Sequence, residues 1–233
     1  SIWHRVGYVN WGYEAIGRFD SWEQIANYPV DNDRKGNRTV VPGDIMYKDQ
    51  NNDGVINYLD ERPIGYRVDS TPTLNFGINL SASWKGFDLA MDWTGSGMTS
   101  WNQCYETARP FQNDGNSPDE VLKDAWHLSD IWDANSPLIP GKYPMVRLNT
   151  DETSAYDKSS YWLHNVTYLK LRNLEVGYTF PKTWLNRTGI SNLRLFVSGT
   201  NLLTLSNLSV MDPECASDNG LDYPPMRVIN LKF

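Results

Sequence analysis

The sequence predicts an all-β chain: a segment of an antiparallel transmembrane β-barrel with long extracellular loops. Three observations predict it. Apolar and polar residues alternate with a period of two through several stretches of strand length. Some of these stretches are joined by very short turns and others by long irregular connections. The last alternating stretch runs in phase into a terminal aromatic residue, Phe233.

The clearest alternation runs from Leu74 to Thr94. Leu74, Phe76, Ile78, Leu80, Ala82 and Trp84 share one side, and Asn75, Gly77, Asn79, Ser81 and Ser83 share the other. After Lys85-Gly86 the pattern resumes, with Phe87, Leu89, Met91 and Trp93 set against Asp88, Ala90, Asp92 and Thr94. The first strand has the roughly 9–11 residues that a tilted strand needs to cross a bilayer. Trp84 and Trp93 are expected at its interfaces, where aromatic side chains concentrate. In a barrel the apolar sets meet lipid, Asn75, Asn79, Asp88 and Asp92 face the lumen, and Lys85-Gly86 is a periplasmic turn. The hairpin by itself fits a soluble β-sandwich equally well.

Upstream, Gly7 to Tyr13 reads as strand and turn, and Ser21-Trp-Glu-Gln as the start of a short helix that Pro29 ends. Downstream, residues 95–162 lack sustained periodicity and read as one long extracellular loop, with Gly95-Ser-Gly97 marking the strand end. Ser117-Pro-Asp-Glu opens a short helix within it, because a proline and acids suit a first turn. Alternation returns at Leu174, Val176, Tyr178 and Phe180, at Leu193, Leu195 and Val197, and finally from Arg227 to Phe233. One helical turn is expected between Pro181 and Ser191.

Composition narrows the classes. A mean hydropathy of −0.54 and the lack of a long apolar run exclude a transmembrane helix but not a barrel, whose strands dilute their apolar residues by alternation. A net charge of −7 without any basic stripe argues against nucleic acid as a partner. Ten Trp and 13 Tyr suit interfacial girdles or platforms that stack on sugars. The two cysteines, Cys104 and Cys215, are compatible with one disulfide or with two free thiols. The chain opens at Ser1 without a start methionine, as a mature product or a piece of something larger would.

One motif carries metal chemistry. Asp49-Gln-Asn51-Asn-Asp53-Gly54-Val55-Ile56-Asn57 follows the calcium loop of EF-hands, with Asp60 at its twelfth position. Side-chain oxygens are expected from Asp49, Asn51, Asp53 and Asp60, a carbonyl from Val55, and a ligand through water from Asn57. Ile56 is expected to anchor the loop, and Glu61 replaces Asp60 if the loop slips by one residue. The alternative is a turn rich in Asp and Asn that needs no metal. The flanks lack the amphipathic helices of a sensor, so the expected ion is a structural calcium.

No catalytic constellation emerges, so the chain is not expected to be an enzyme. His4, His127 and His164 lack metal-site spacing, and neither a nucleophile elbow nor a phosphate loop occurs. Asp119 and Glu120 are explained by a helix first turn. Among the loop aromatics, Trp101, Tyr105, Trp126 and Trp132 are candidates for contact with substrate or partner.

Several blocks occur in a telling order. Pro42-Gly-Asp-Ile-Met-Tyr-Lys-Asp49 precedes the Asp/Asn/Gly loop, followed by Ile64-Gly65, Pro72-Thr-Leu-Asn-Phe-Gly77 and Trp84-Lys-Gly-Phe-Asp-Leu89. Then come Tyr168-Leu-Lys-Leu-Arg-Asn-Leu174, Gly177-Tyr-Thr-Phe-Pro181, Leu193 to Leu203, Met211-Asp-Pro-Glu214 and Tyr223-Pro224. This order resembles the C-terminal region of SusC/RagA-type TonB-dependent outer-membrane transporters over residues 7–233. The resemblance implies a barrel of about 22 strands with an N-terminal plug that this chain lacks. It implies a Gram-negative outer membrane, energy from the TonB complex through the missing N-terminal part, and oligosaccharide or peptide cargo. A SusD-like surface lipoprotein is implied as a lid, in a dimer of transporter–lipoprotein pairs. Phe233 resembles the signal read by the barrel assembly machinery. The alternative is a secreted, calcium-stabilised β-sandwich that binds carbohydrate.

Overall fold

The computed structural model describes residues 9–67, 72–148, 152–186, 189–209, 211–215 and 219–232. Phe233 and His4 lie outside them. Among the described residues no helix is long and apolar enough to cross a membrane. Strands dominate: β1 Val9–Gly12, β2 Ala15–Arg18, β3 Ile45–Tyr47, β4 Arg62–Tyr66, β5 Leu74–Trp84, β6 Phe87–Asn102, β7 His127–Leu128, β8 Leu138–Ile139, β9 Leu163–Thr179, β10 Arg194–Ser206 and β11 Val228–Lys232. Among the described residues three short α-helices accompany them, α1 Trp22–Ala26, α2 Asp119–Lys123 and α3 Lys182–Leu185. The chain divides into two compact units: one of residues 1–69, 100–165 and 216–221, the other of 70–99, 166–215 and 222–233.

The first unit is built on a buried core. Trp162, Tyr47, Ile45, Ile56, Tyr143 and Tyr156 pack together, with Trp162 stacked between Tyr143 at 6.1 Å and Tyr156 at 5.5 Å. Each large apolar side chain buried this way contributes about 1.5–3 kcal/mol. Trp162 also keeps its polar atom satisfied, since its Nε1–H donates to the Ala155 carbonyl at 2.8 Å. Two small antiparallel pairs, β1 with β4 and β2 with β3, frame this core. Buried Asn32 ties the segment between β2 and β3 to β3, donating to the Ile45 carbonyl at 3.0 Å and accepting from the Tyr47 N–H at 3.0 Å. Ser21 caps α1 as expected, accepting from the Gln24 N–H at 3.2 Å, while Gln24 reaches back to the Asp20 N–H at 2.7 Å.

The second unit carries most of a five-stranded sheet in the order β11-β10-β9-β6-β5. The β5–β6 register sets Ile78 opposite Trp93, Leu80 opposite Met91 and Trp84 opposite Phe87, while Asn79 faces Asp92 and Ser83 faces Asp88. Directly opposed residues point to the same side of a sheet, so the expected apolar and polar faces are both present. The pattern continues across β10, where Val197 pairs with Val176 on β9 and with Leu231 on β11. Lys85 and Gly86 form a two-residue turn, both with positive φ (48° and 90°) as a type I′ hairpin requires.

Two boundaries differ from expectation. β6 does not stop at Thr94 but runs through Gly95–Gly97 to Asn102. Gly95 is there because the Phe76 ring lies across it, and a Cβ would come within 2.1 Å of that ring. The irregular segment therefore begins after Asn102 rather than at residue 95, and Trp93 sits in mid-strand, opposite Ile78. β9 starts eleven residues before Leu174, at Leu163. Its first half escapes a period-two reading because the β9–β10 register shifts by a bulge between Thr200 and Leu203. Cys104 and Cys215 are not joined in a disulfide.

Candidate functional site

The Asp-rich loop folds from its own side chains. Asp49 accepts from the N–H groups of Asn52 at 2.7 Å and Gly54 at 2.8 Å, and Asn51 accepts from Asp53 at 3.0 Å. Asp53 accepts from the Val55 N–H at 2.9 Å and from the Asn51 amide at 2.8 Å. These hydrogen bonds hold the Asp53 carboxyl below its ordinary pKa. Gly54 makes the sharp turn with φ +82°, a conformation that other residues adopt with strain. Ile56 is fully buried in the core of the first unit and anchors the loop as expected. The backbone of Val55 pairs with Asp31, through Asp31 N–H to the Gly54 carbonyl at 2.8 Å and Ile56 N–H to the Asp31 carbonyl at 2.9 Å.

Asp49, Asp53 and Asp60 each present a carboxylate oxygen within 4.8 Å of the others. Oxygens bound to one calcium at 2.3–2.6 Å lie no further apart than about 5 Å, so the donor set fits a hard cation. Asp60 is fully buried and accepts from the Gln50 and Asn57 N–H groups, both at 2.9 Å. The Val55 carbonyl accepts from the Asn57 amide at 3.1 Å, so Asn57 stands beside the expected carbonyl ligand. Glu61 does not join this group. It lines a recess of about 450 Å³ together with Trp11, Tyr13, Arg34, Asp157 and Lys158. Burial raises the Asp157 carboxyl against the lowering effect of its ion pair with Arg34. Sequence reading missed this recess, since its residues come from four separate stretches.

The four aromatic candidates separate by burial. Trp101 and Trp126 are 4% and 6% exposed and belong to the interior. Trp101 stacks on His164 at 5.6 Å, and Trp126 packs against Gly43. Tyr105 and Trp132 stand out at 52% and 90% exposure. Trp132 is held in an ordered turn, where its N–H donates to Asp130 Oδ1 at 2.9 Å and the Ser136 hydroxyl donates to the Asp130 carbonyl at 2.9 Å.

In the second unit the two faces of the sheet have opposite chemistry. Leu80 is 49% exposed, Ile78 44%, Val197 46% and Leu231 67%, all on the apolar face. Across the polar face runs a charged ladder. Arg194 on β10 binds Asp88 on β6 and, at 2.5 Å, Glu175 on β9, while Asn173 donates to Asp92 at 3.2 Å. Asp88 and Asp92 thus share the face assigned to them by alternation.

No family model matches the chain. Among curated relatives it is 30% identical over 94% of its length to "TonB-dependent receptor P3" and 27% identical over 94% to "TonB-dependent receptor P26", both of Formosa agariphila. It is 24% identical over 95% of its length to "TonB-dependent receptor SusC" of Bacteroides thetaiotaomicron. The chain spans only 22% of the first two relatives and 18% of the third. Among solved structures, the RagAB peptide importer in its closed-closed state matches with a TM-score of 0.59 at 19% identity, over 96% of this chain and 22% of that one. The RagAB peptide transporter matches with a TM-score of 0.53 at 20% identity, over 88% and 20%.

Proposed function

From this homology to TonB-dependent receptors of the SusC/RagA type, we propose that the chain is a C-terminal stretch of an outer-membrane β-barrel that imports oligosaccharides or peptides. The observation that carries this reading is the apolar face of the sheet. Large aliphatic side chains at 44–67% exposure are costly in water and ordinary in lipid. Opposite them, Asp88, Glu175 and Arg194 satisfy one another on the side that suits a watery lumen. Strands that alternate in this way cross a membrane only when their edges are paired, so the remaining strands must come from chain beyond these residues. A β-sandwich needs a second sheet over the apolar face, and among the described residues the other sheets are two-stranded.

In this reading Lys85-Gly86 is a periplasmic turn and the irregular segment after Asn102, up to Trp162, is extracellular. Energy comes from the TonB complex through a plug domain. A SusD-like lipoprotein closes over the barrel, in a dimer of transporter–lipoprotein pairs, with exposed Trp132 and Tyr105 as candidate contacts. Phe233 serves the assembly machinery. Calcium, held by Asp49, Asn51, Asp53, Val55, Asn57 and Asp60, neutralises three clustered carboxylates and stiffens the loop that Ile56 pins to the core.

The test is fractionation of the protein as its gene encodes it. Extraction from membranes only by detergent, with a lipoprotein co-purifying, is expected; recovery in the soluble fraction without detergent sinks the reading. Calorimetric titration with calcium should give heat that Asp53→Ala abolishes. Absence of heat in both proteins removes the metal and leaves the transporter intact.

A further inference from the structure

The connection between β10 and β11, from Ser206 to Val228, is too long for a simple turn, and loops of this length usually have work to do. Part of it is held down by a buried lysine. Lys170 on β9 has a side chain only 1% exposed, and a lysine is rarely buried unless it is paired. Its ammonium has three donors, and three carboxylate oxygens receive them: Asp212 Oδ1 at 2.7 Å, Asp212 Oδ2 at 2.8 Å and Glu214 Oε2 at 2.8 Å.

Glu214 is shared. Its other oxygen binds Arg172, whose Nε donates to the Thr94 hydroxyl at 3.0 Å and whose Nη1 donates to Asn201 at 3.3 Å. Thr94 belongs to the polar set of the hairpin, so the turn rests on that side of the sheet. Asp212 also closes the turn on itself, accepting from the Glu214 N–H at 3.0 Å while its carbonyl accepts from Cys215 at 3.0 Å. Below the turn lies a recess of about 450 Å³, bordered by Asn75, Thr94, Tyr168, Arg172 and Glu214.

We propose that Lys170 is a positioning residue that tethers the turn 211–215 onto the polar face of the sheet and holds the Glu214 carboxylate at the mouth of this recess, in the path of cargo. The tether stands on its own geometry; its place in a transport path rests on the barrel reading above. A charge left buried without its partner is strongly unfavourable, which is why a single loss on either side should free the turn.

Hydrogen exchange of the full gene product in detergent tests it. Amides of Glu214 and Cys215 are expected to be protected, and Lys170→Met should speed their exchange by about tenfold or more, with β5 and β6 unchanged. If Lys170→Met does not fold, Lys170→Met with Asp212→Asn and Glu214→Gln removes the buried lysine together with both carboxylates that pair with it, leaving only Arg172, which is 34% exposed. That variant should regain the heat-shifted gel band of a folded barrel and still exchange fast at the turn. Slow exchange at the turn in either folded variant, or an unprotected turn in the natural protein, overturns the tether. A soluble, detergent-independent protein that keeps the tether would fail only the barrel reading.

Discussion

The two units use similar residues in opposite ways. In the first, Trp162, Tyr47, Ile45 and Ile56 are at most 1% exposed and hold a conventional interior together. In the second, Ile78, Leu80, Val197 and Leu231 stand on one open face of a sheet whose other face is charged. One unit has its apolar side chains against each other, and the other has them exposed on one face of a sheet. The difference teaches that hydrophobicity marks a boundary between environments, and that only the fold says which side of the boundary is protein.

The comparison breaks most visibly if Trp162 is truncated. Trp162→Ala removes the ring between Tyr143 and Tyr156 and should cost about 3–5 kcal/mol. Denaturant unfolding of the full protein should show this loss in the first unit and leave β5, β9 and β10 folded. Leu80→Arg addresses the other unit. In a bilayer it should destabilise by about 2–4 kcal/mol when read by urea unfolding in vesicles, and a change near zero would mean that Leu80 faces water.

Asp33 sharpens the contrast through pH. Burial raises its carboxyl, but the N–H groups of Thr39, Lys35 and Asn37 and the Thr39 hydroxyl outweigh this and bring it to about 2. Because the folded pKa lies below the unfolded value of 3.8, the stabilisation is present above about pH 4 and is lost as pH falls toward 2. Acid unfolding of Asp33→Asn should lack that dependence. The smallest effect is expected at a cap: Ser21→Ala should cost about 1 kcal/mol by the same unfolding measurement.

Much of the sheet is legible in the residues themselves. The sides of β5 and β6, the two-residue turn, β11 and the cap of α1 follow from periodicity and from local side-chain-to-backbone bonds. The Asp-rich loop is equally local, because Asp49, Asn51 and Asp53 bond to amides within five residues of themselves. What fails is whatever depends on a distant partner. Gly95 reads as a strand end until the Phe76 ring covers it. Trp101 and Trp126 read no differently from Tyr105 and Trp132 until the fold buries them, since an aromatic ring in irregular sequence does not declare its neighbours.

By itself, then, the sequence determined the alternation of faces, the turn chemistry and the acidic loop, all set by forces acting between residues close along the chain. The tertiary structure alone decided that β6 and β9 extend past their periodic halves, which aromatics are interior, and that Lys170 meets Asp212 and Glu214 across about forty residues. These depend on long-range approach, where register, a bulge and the desolvation of a charge are settled only when the strands are side by side.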